Sequence, residues 1–177
     1  MTTEFQNMDL AKGHPIQNYL DETLLIQSIA DNLIQVDINN DFQRFYNLFN
    51  QLATIEKRFE RKENQLFPFL EQKGWTGPSQ NMWSFHDIIR QIFRIVRQNI
   101  ENKNLISAKH NTELAIQNIN RLLEVEETVL FPNALEILSD DEWKVMRKGE
   151  DEIGWMLTDA PPKYPNEPEY IHPSQDI

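Results

Sequence analysis

The 177-residue sequence predicts an all-α protein: a four-helix up-and-down bundle with a short fifth helix and an extended C-terminal tail. Three observations carry that reading. Apolar residues recur at spacings of three and four along most of the chain, the period of helices with one buried face. Only five glycines punctuate the run, so there are few places where the backbone must turn sharply. Short polar turn segments separate four long amphipathic stretches, the pattern of antiparallel helices joined by short loops. A chain of this length buries roughly two thirds of its unfolded surface in a single core, and no disulfide or metal staple is needed.

The first helix is expected to start after Gly13-His14-Pro15, because proline suits the first helical position and His14 then sits at the N-cap. Glu22, Leu25, Ile29, Leu33 and Val36 share its inner face. Asn39-Asn40-Asp41 breaks it and opens a second helix to about residue 73, with Phe45, Phe49, Leu52, Phe59, Leu66 and Leu70 in line. Residues 74–79, Gly-Trp-Thr-Gly-Pro-Ser, read as a turn. A third helix covers residues 80–102 with the stripe Met82, His86, Ile89, Phe93, Val96 and Ile100, and a fourth covers 106–138 with Ile116, Ile119, Leu123, Leu130, Ala134 and Ile137. Ser139-Asp-Asp-Glu142 is a capping-box start for a short fifth helix through Lys148. Beyond residue 159 the chain is proline-rich, so residues 1–158 are read as the bundle and 159–177 as a tail.

Charge and composition exclude several function classes. With 17 basic and 28 acidic side chains the formal charge is −11, and the longest basic cluster, residues 58–62, is interrupted. Nucleic acid is therefore not an expected partner. The absence of cysteine removes thiol nucleophiles, zinc ribbons and thiolate-bound clusters. No basic-then-apolar leader and no membrane-length apolar run are visible, which predicts a soluble, cytoplasmic protein with no membrane partner.

The functional signal lies where polar residues interrupt buried faces. Glu22, Glu63, His86 and Glu126 each fall inside the apolar stripe of a different helix. Carboxylates in a core are retained when paired, protonated or metal-bound, and three carboxylates with a histidine suit iron, manganese or zinc. His14 is placed to join them from its N-cap. Taken singly, each Glu has a solvated or salt-bridged reading, and His86 that of a satisfied core histidine. His110 reads as solvated and His172 lies in the tail, where Glu169-x-x-His172 is not helical and is set aside. Lys57 and Lys62 also read as solvated. An internal echo pairs Arg61-Lys-Glu-Asn-Gln-Leu-Phe-Pro68 with Val125-Glu-Glu-Thr-Val-Leu-Phe-Pro132, two helices presenting acids one turn before Leu-Phe-Pro.

Gly13-His14-Pro15, the Arg61–Pro68 run, Trp83-x-x-His86-Asp87-x-Ile89-Arg90 and Glu126-Glu127-x-x-Leu130-Phe131-Pro132 together resemble the hemerythrin-like, HHE cation-binding family. Within it, Gly74–Pro78 and Gly149-Glu-Asp-Glu-Ile-Gly154 resemble a bacterial subgroup usually found before a PAS sensor domain. The resemblance covers about residues 10–157. It implies a non-haem di-iron centre held by histidines and bridging carboxylates, with dioxygen or nitric oxide as ligand. Together with Glu22 from the stripe of the first helix, the metal positions expected here are His14, Glu22, Glu63, His86 and Glu126 or Glu127. Two expected histidines are replaced, by Gln17 and Arg58, and the chain has four histidines in all.

Two outcomes are open at this point. A reduced, oxygen-rich site still takes iron, manganese or zinc, for sensing or binding a diatomic ligand or metal. Alternatively Arg58 replaces the metal's charge by pairing with Glu63 and Glu126, leaving a metal-free module that contacts a protein partner through the bundle surface or the tail. Arg58 also has an outward-facing, solvated reading. No general base, phosphate loop or nucleophile constellation points to an enzyme.

Overall fold

A computed structural model describes residues 10–156 and 158–166. These residues are helical with connecting turns, and no strand occurs among them. The helices are α1 (Pro15–Gln35), α2 (Phe42–Ala53), α3 (Ile55–Arg61), α4 (Phe67–Gln72), α5 (Gly77–Glu101), α6 (Leu105–Val125), α7 (Phe131–Ile137) and α8 (Asp140–Glu150). Two π-helical turns, Lys62–Leu66 and Glu126–Leu130, join α3 to α4 and α6 to α7.

The second and fourth helices expected from the sequence are thus interrupted, and the cause is local. Pro68 and Pro132 lack the N–H that an α-helix interior would donate four residues back. The backbone widens there instead, with Phe67 N bonding to Lys62 O and Phe131 N to Glu126 O, each five residues apart. A further break at Thr54 separates α2 from α3. Helix α5 starts three residues earlier than expected, with Pro78 in its first turn.

Helix ends follow the sequence closely. His14 caps α1, its Nδ1 accepting from Ile16 N at 3.0 Å. Ser139 and Glu142 form the reciprocal capping box that opens α8. Asn104 caps α6 by accepting from Ser107 N at 3.2 Å, and the three-residue link 102–104 lets α6 pack along α5. α1 packs on α2, α6 and α8, and α8 also meets the first π turn.

One apolar core joins these helices. Phe45, Phe49, Phe59, Phe67 and Phe131 are buried in it with Ile16, Ile26, Leu52, Ile89, Val96 and Ile119. Tyr19 stacks on Phe131 at 5.2 Å between ring centroids. Burial of this kind contributes roughly 25 cal/mol per Å² of apolar surface. Beyond α8 the chain returns across the molecule. Arg147 holds the carbonyls of Pro161 and Pro162 at 2.7 and 3.1 Å, so the tail is packed against α8 over its described part. None of the described helices is long and apolar enough to cross a membrane.

Candidate functional site

The carboxylates picked out by the helical stripes do converge, but with cations. Arg58 of α3 has no exposed side-chain surface. Its Nη2 donates to Glu126 Oε2 at 2.5 Å and to Thr23 Oγ1 at 2.9 Å, while Nη1 donates to Tyr19 O at 2.8 Å and lies 3.6 Å from Glu22 Oε1. Lys62, equally buried, pairs its Nζ with Glu126 Oε1. Both oxygens of Glu126 are therefore taken by positive charge. Arg61 grips Glu22 with two guanidinium nitrogens, Nη1 reaching Oε2 at 2.9 Å and Nη2 reaching Oε1. Its Nη1 also donates to Gly154 O at 2.8 Å, and Met156 N returns a bond to Glu22 Oε2 at 2.9 Å. Residues 154–156 consequently cover the centre, with the Trp155 ring 4.4 Å from the Arg61 guanidinium carbon.

The spacing of α3 explains why these cations meet the core. Arg58, Arg61 and Lys62 stand at i, i+3 and i+4, one face of a helical turn. Lys57, one residue off that face, is exposed and lies 3.9 Å from Glu60. The sequence-based expectation that Lys62 is solvated is corrected: the π turn begins at Lys62 and carries its side chain inward. Of the two readings of Arg58, the inward one holds, and it binds Glu126 and approaches Glu22 rather than Glu63.

Glu63 belongs to a second, adjoining pair. Arg90 of α5 forks onto it, with Nη1 to Oε2 at 3.0 Å and Nη2 to Oε1 at 2.8 Å, and also bonds Glu56 and Asp87. His86 Nδ1 lies 2.7 Å from Glu63 Oε2. Because that carboxylate already accepts from an arginine, the imidazole must be the donor, which assigns the neutral Nδ1–H tautomer. The ring stacks on Phe59 at 4.2 Å and Phe67 at 6.0 Å, and its buried Nε2 has no hydrogen-bond partner among the described residues.

The electrostatics follow from this arrangement. Burial pushes the Glu126 carboxyl up, but Arg58 and Lys62 outweigh it and hold the group at about 2. Burial, assisted by the like charge of Arg58, lowers Lys62 to about 8 against the pull of Glu126. Burial and then the charge of Lys62 push His86 far below the usual histidine range, which keeps it neutral. Glu150 of α8 is the counter-example. Its oxygens accept no hydrogen bond, Arg61 Nε stands 3.7 Å away, and burial raises it to about 8 despite Arg61 and Arg147.

The remaining expected positions lie elsewhere or make other contacts. His14 packs on Trp143 at 4.8 Å and Tyr164 at 5.0 Å, and burial lowers it to about 4. Gln17 donates to Asp21 at the surface, at 3.0 Å. Glu127 is buried beside Glu126 in the second π turn. His110 is exposed. Glu169 and His172 lie outside the described residues.

A metal would need these carboxylates free. Glu22 is engaged by Arg61 and Arg58, Glu126 by Arg58 and Lys62, Glu63 by Arg90 and His86, so none of these three carboxylates is open to bridge an iron pair. Among the described residues no group of three His, Asp or Glu side chains is arranged to hold a metal ion. Arg61, Lys62, Arg90 and Glu150 were not singled out from the sequence. The signal for the first two is their i+3 and i+4 offset from Arg58, and for Glu150 the run Trp143, Met146, Arg147, Glu150 on one face of α8. No family model matches the chain, and no curated protein matches it.

Proposed function

We propose that the chain is a metal-independent relative of the hemerythrin-like family, a non-enzymatic four-helix bundle whose carboxylate centre is neutralised by its own side chains. One observation carries this reading: Arg58 and Lys62 both bind Glu126, one of the two adjacent carboxylates, Glu126 and Glu127, from which the metal reading draws a ligand. Of three buried carboxylates, Glu22 and Glu126 are matched by Arg58, Arg61 and Lys62, and Glu63 by Arg90. Fixed organic cations do the structural work of a metal without its open coordination positions, so no diatomic ligand binds there. Such a bundle serves as a contact module. A 41%-exposed Trp83 and the exposed Val125 and Val129 support that role, as does the apolar groove formed by Trp75, Pro78, Met82 and Leu130 beside them.

The observation that favours the other reading is the free Nε2 of His86, whose Nδ1–H rests on a carboxylate as in many metal-ligating histidines. Elemental analysis of chelator-free protein, with visible spectra before and after anaerobic ferrous iron and then air, separates the two. The expected result is no stoichiometric metal and no oxo-bridged absorption. A bound iron pair with that absorption would overturn the proposal.

A further inference from the structure

Between α8 and residues 163–165 lies a cavity of about 420 Å³ lined by Arg147, Lys148, Asp151, Lys163, Tyr164 and Pro165. A few hundred Å³ is the size that accepts a small metabolite. On a chain of formal charge −11, this lining is locally reversed in sign: three cations face one carboxylate. That carboxylate, Asp151, is already bound by Arg147 Nη1 at 2.9 Å. Lys148 and Lys163 take part in no ion pair among the described residues, so their ammonium charges are available to a ligand.

The walls are held in place without a ligand. Arg147, with a side chain only 2% exposed, donates to Pro161 O and Pro162 O. Gly13 has a φ of +83°, and a Cβ there would stand 2.3 Å from Lys163 O, so the returning chain packs directly on the start of α1. Tyr164 places its ring against His14 and its hydroxyl donates to Asp140. A concavity built this way needs little ordering on binding, which removes one of the main costs of association.

We propose that this cavity binds a soluble phosphate monoester with a ring-sized body. Lys148 and Lys163 flank the phosphate, each a compact point charge suited to a dianion, and the body lies against Tyr164 and Pro165. Arg147 acts as a positioning residue: it fixes the wall and is itself fully engaged.

The test is a titration of the full chain with AMP, inorganic phosphate and adenosine, read by calorimetry and by backbone amide shifts. AMP is expected to bind saturably, with shifts at Lys148, Asp151, Lys163 and Tyr164, and inorganic phosphate to bind more weakly at the same amides. The Lys148→Glu/Lys163→Glu variant should weaken AMP by at least about tenfold through loss of charge-assisted contacts while keeping the wild-type melting temperature, since both side chains are exposed. Absence of saturable AMP binding, equal binding of adenosine, or indifference to the double charge reversal would each overturn the proposal. Vesicles containing phosphatidic acid carry the same phosphate chemistry on a surface, and binding to them without binding of AMP would overturn it as well.

Discussion

Replacing Arg58 by alanine is expected to destabilise the protein by about 3–5 kcal/mol, the range for removing one partner of a buried ion pair. The wild-type side chain is fully buried and makes four polar contacts, with Glu126, Thr23, Tyr19 O and Glu22. Without it Glu126 keeps only Lys62, whose own charge is held weakly in this environment. Tyr19 and Phe131 lose the guanidinium lying 5.1 and 5.9 Å from their rings. Denaturant unfolding at neutral pH measures the change. A value near zero would mean that Arg58 does not occupy the carboxylate centre in solution.

The second large effect is pH-dependent and belongs to Glu150. Its folded-state value is raised to about 8 by burial, above the ordinary glutamate value of 4.5. The folded protein therefore holds a proton that the unfolded chain releases. Stability from this group is complete below the unfolded value and is lost as pH rises from about 4.5 through 8, at up to ~1.4 kcal/mol per pH unit. Glu150→Gln keeps the size and removes the titration. Its unfolding free energy is expected to fall less steeply than wild type between pH 5 and 8, and to exceed wild type at pH 9. Of the groups facing Glu150, Arg61 and Arg147 favour its charge and work against this rise, while Glu22 and Asp151 add to it. Parallel pH profiles for the two proteins would place Glu150 in contact with solvent.

Helix faces, the His14 cap and the Ser139 capping box were legible because they depend on residues a turn or two apart. The inward carboxylates were legible for the same reason, since Glu22, Glu63 and Glu126 keep step with apolar stripes. What those carboxylates meet was not. Arg61 reaches Glu22 across 39 residues of sequence and Lys62 reaches Glu126 across 64, and a lysine beside other charged residues reads as a solvated face. The π turns lay between these cases. The Leu-Phe-Pro echo marked the right places, but a proline inside a helical pattern signals a break without saying that the backbone widens. In the first π turn that widening brings Lys62 and Glu63 into the core together, and in the second Glu126.

The acidic surface and the covered centre fit one physical account. Charges that would be costly in a core are retained as matched pairs across α1, α3, α5 and the two π turns, and residues 154–156 close over them through Gly154 O, Met156 N and the Trp155 ring. Buried networks of this sort constrain how helices register against each other, because each unpaired member would carry the full desolvation cost.

The most direct measurement of the central claim is the nitrogen-15 spectrum of the His86 imidazole, recorded with and without stoichiometric zinc. His86 holds the one ring nitrogen in the centre that a metal would find free. The account predicts a neutral ring with its proton on Nδ1 and an Nε2 resonance that zinc leaves unchanged, because Lys62, Arg58 and Arg90 already serve the neighbouring carboxylates. A shift of Nε2 to a metal-bound position, saturating at one zinc or more per chain, would contradict it.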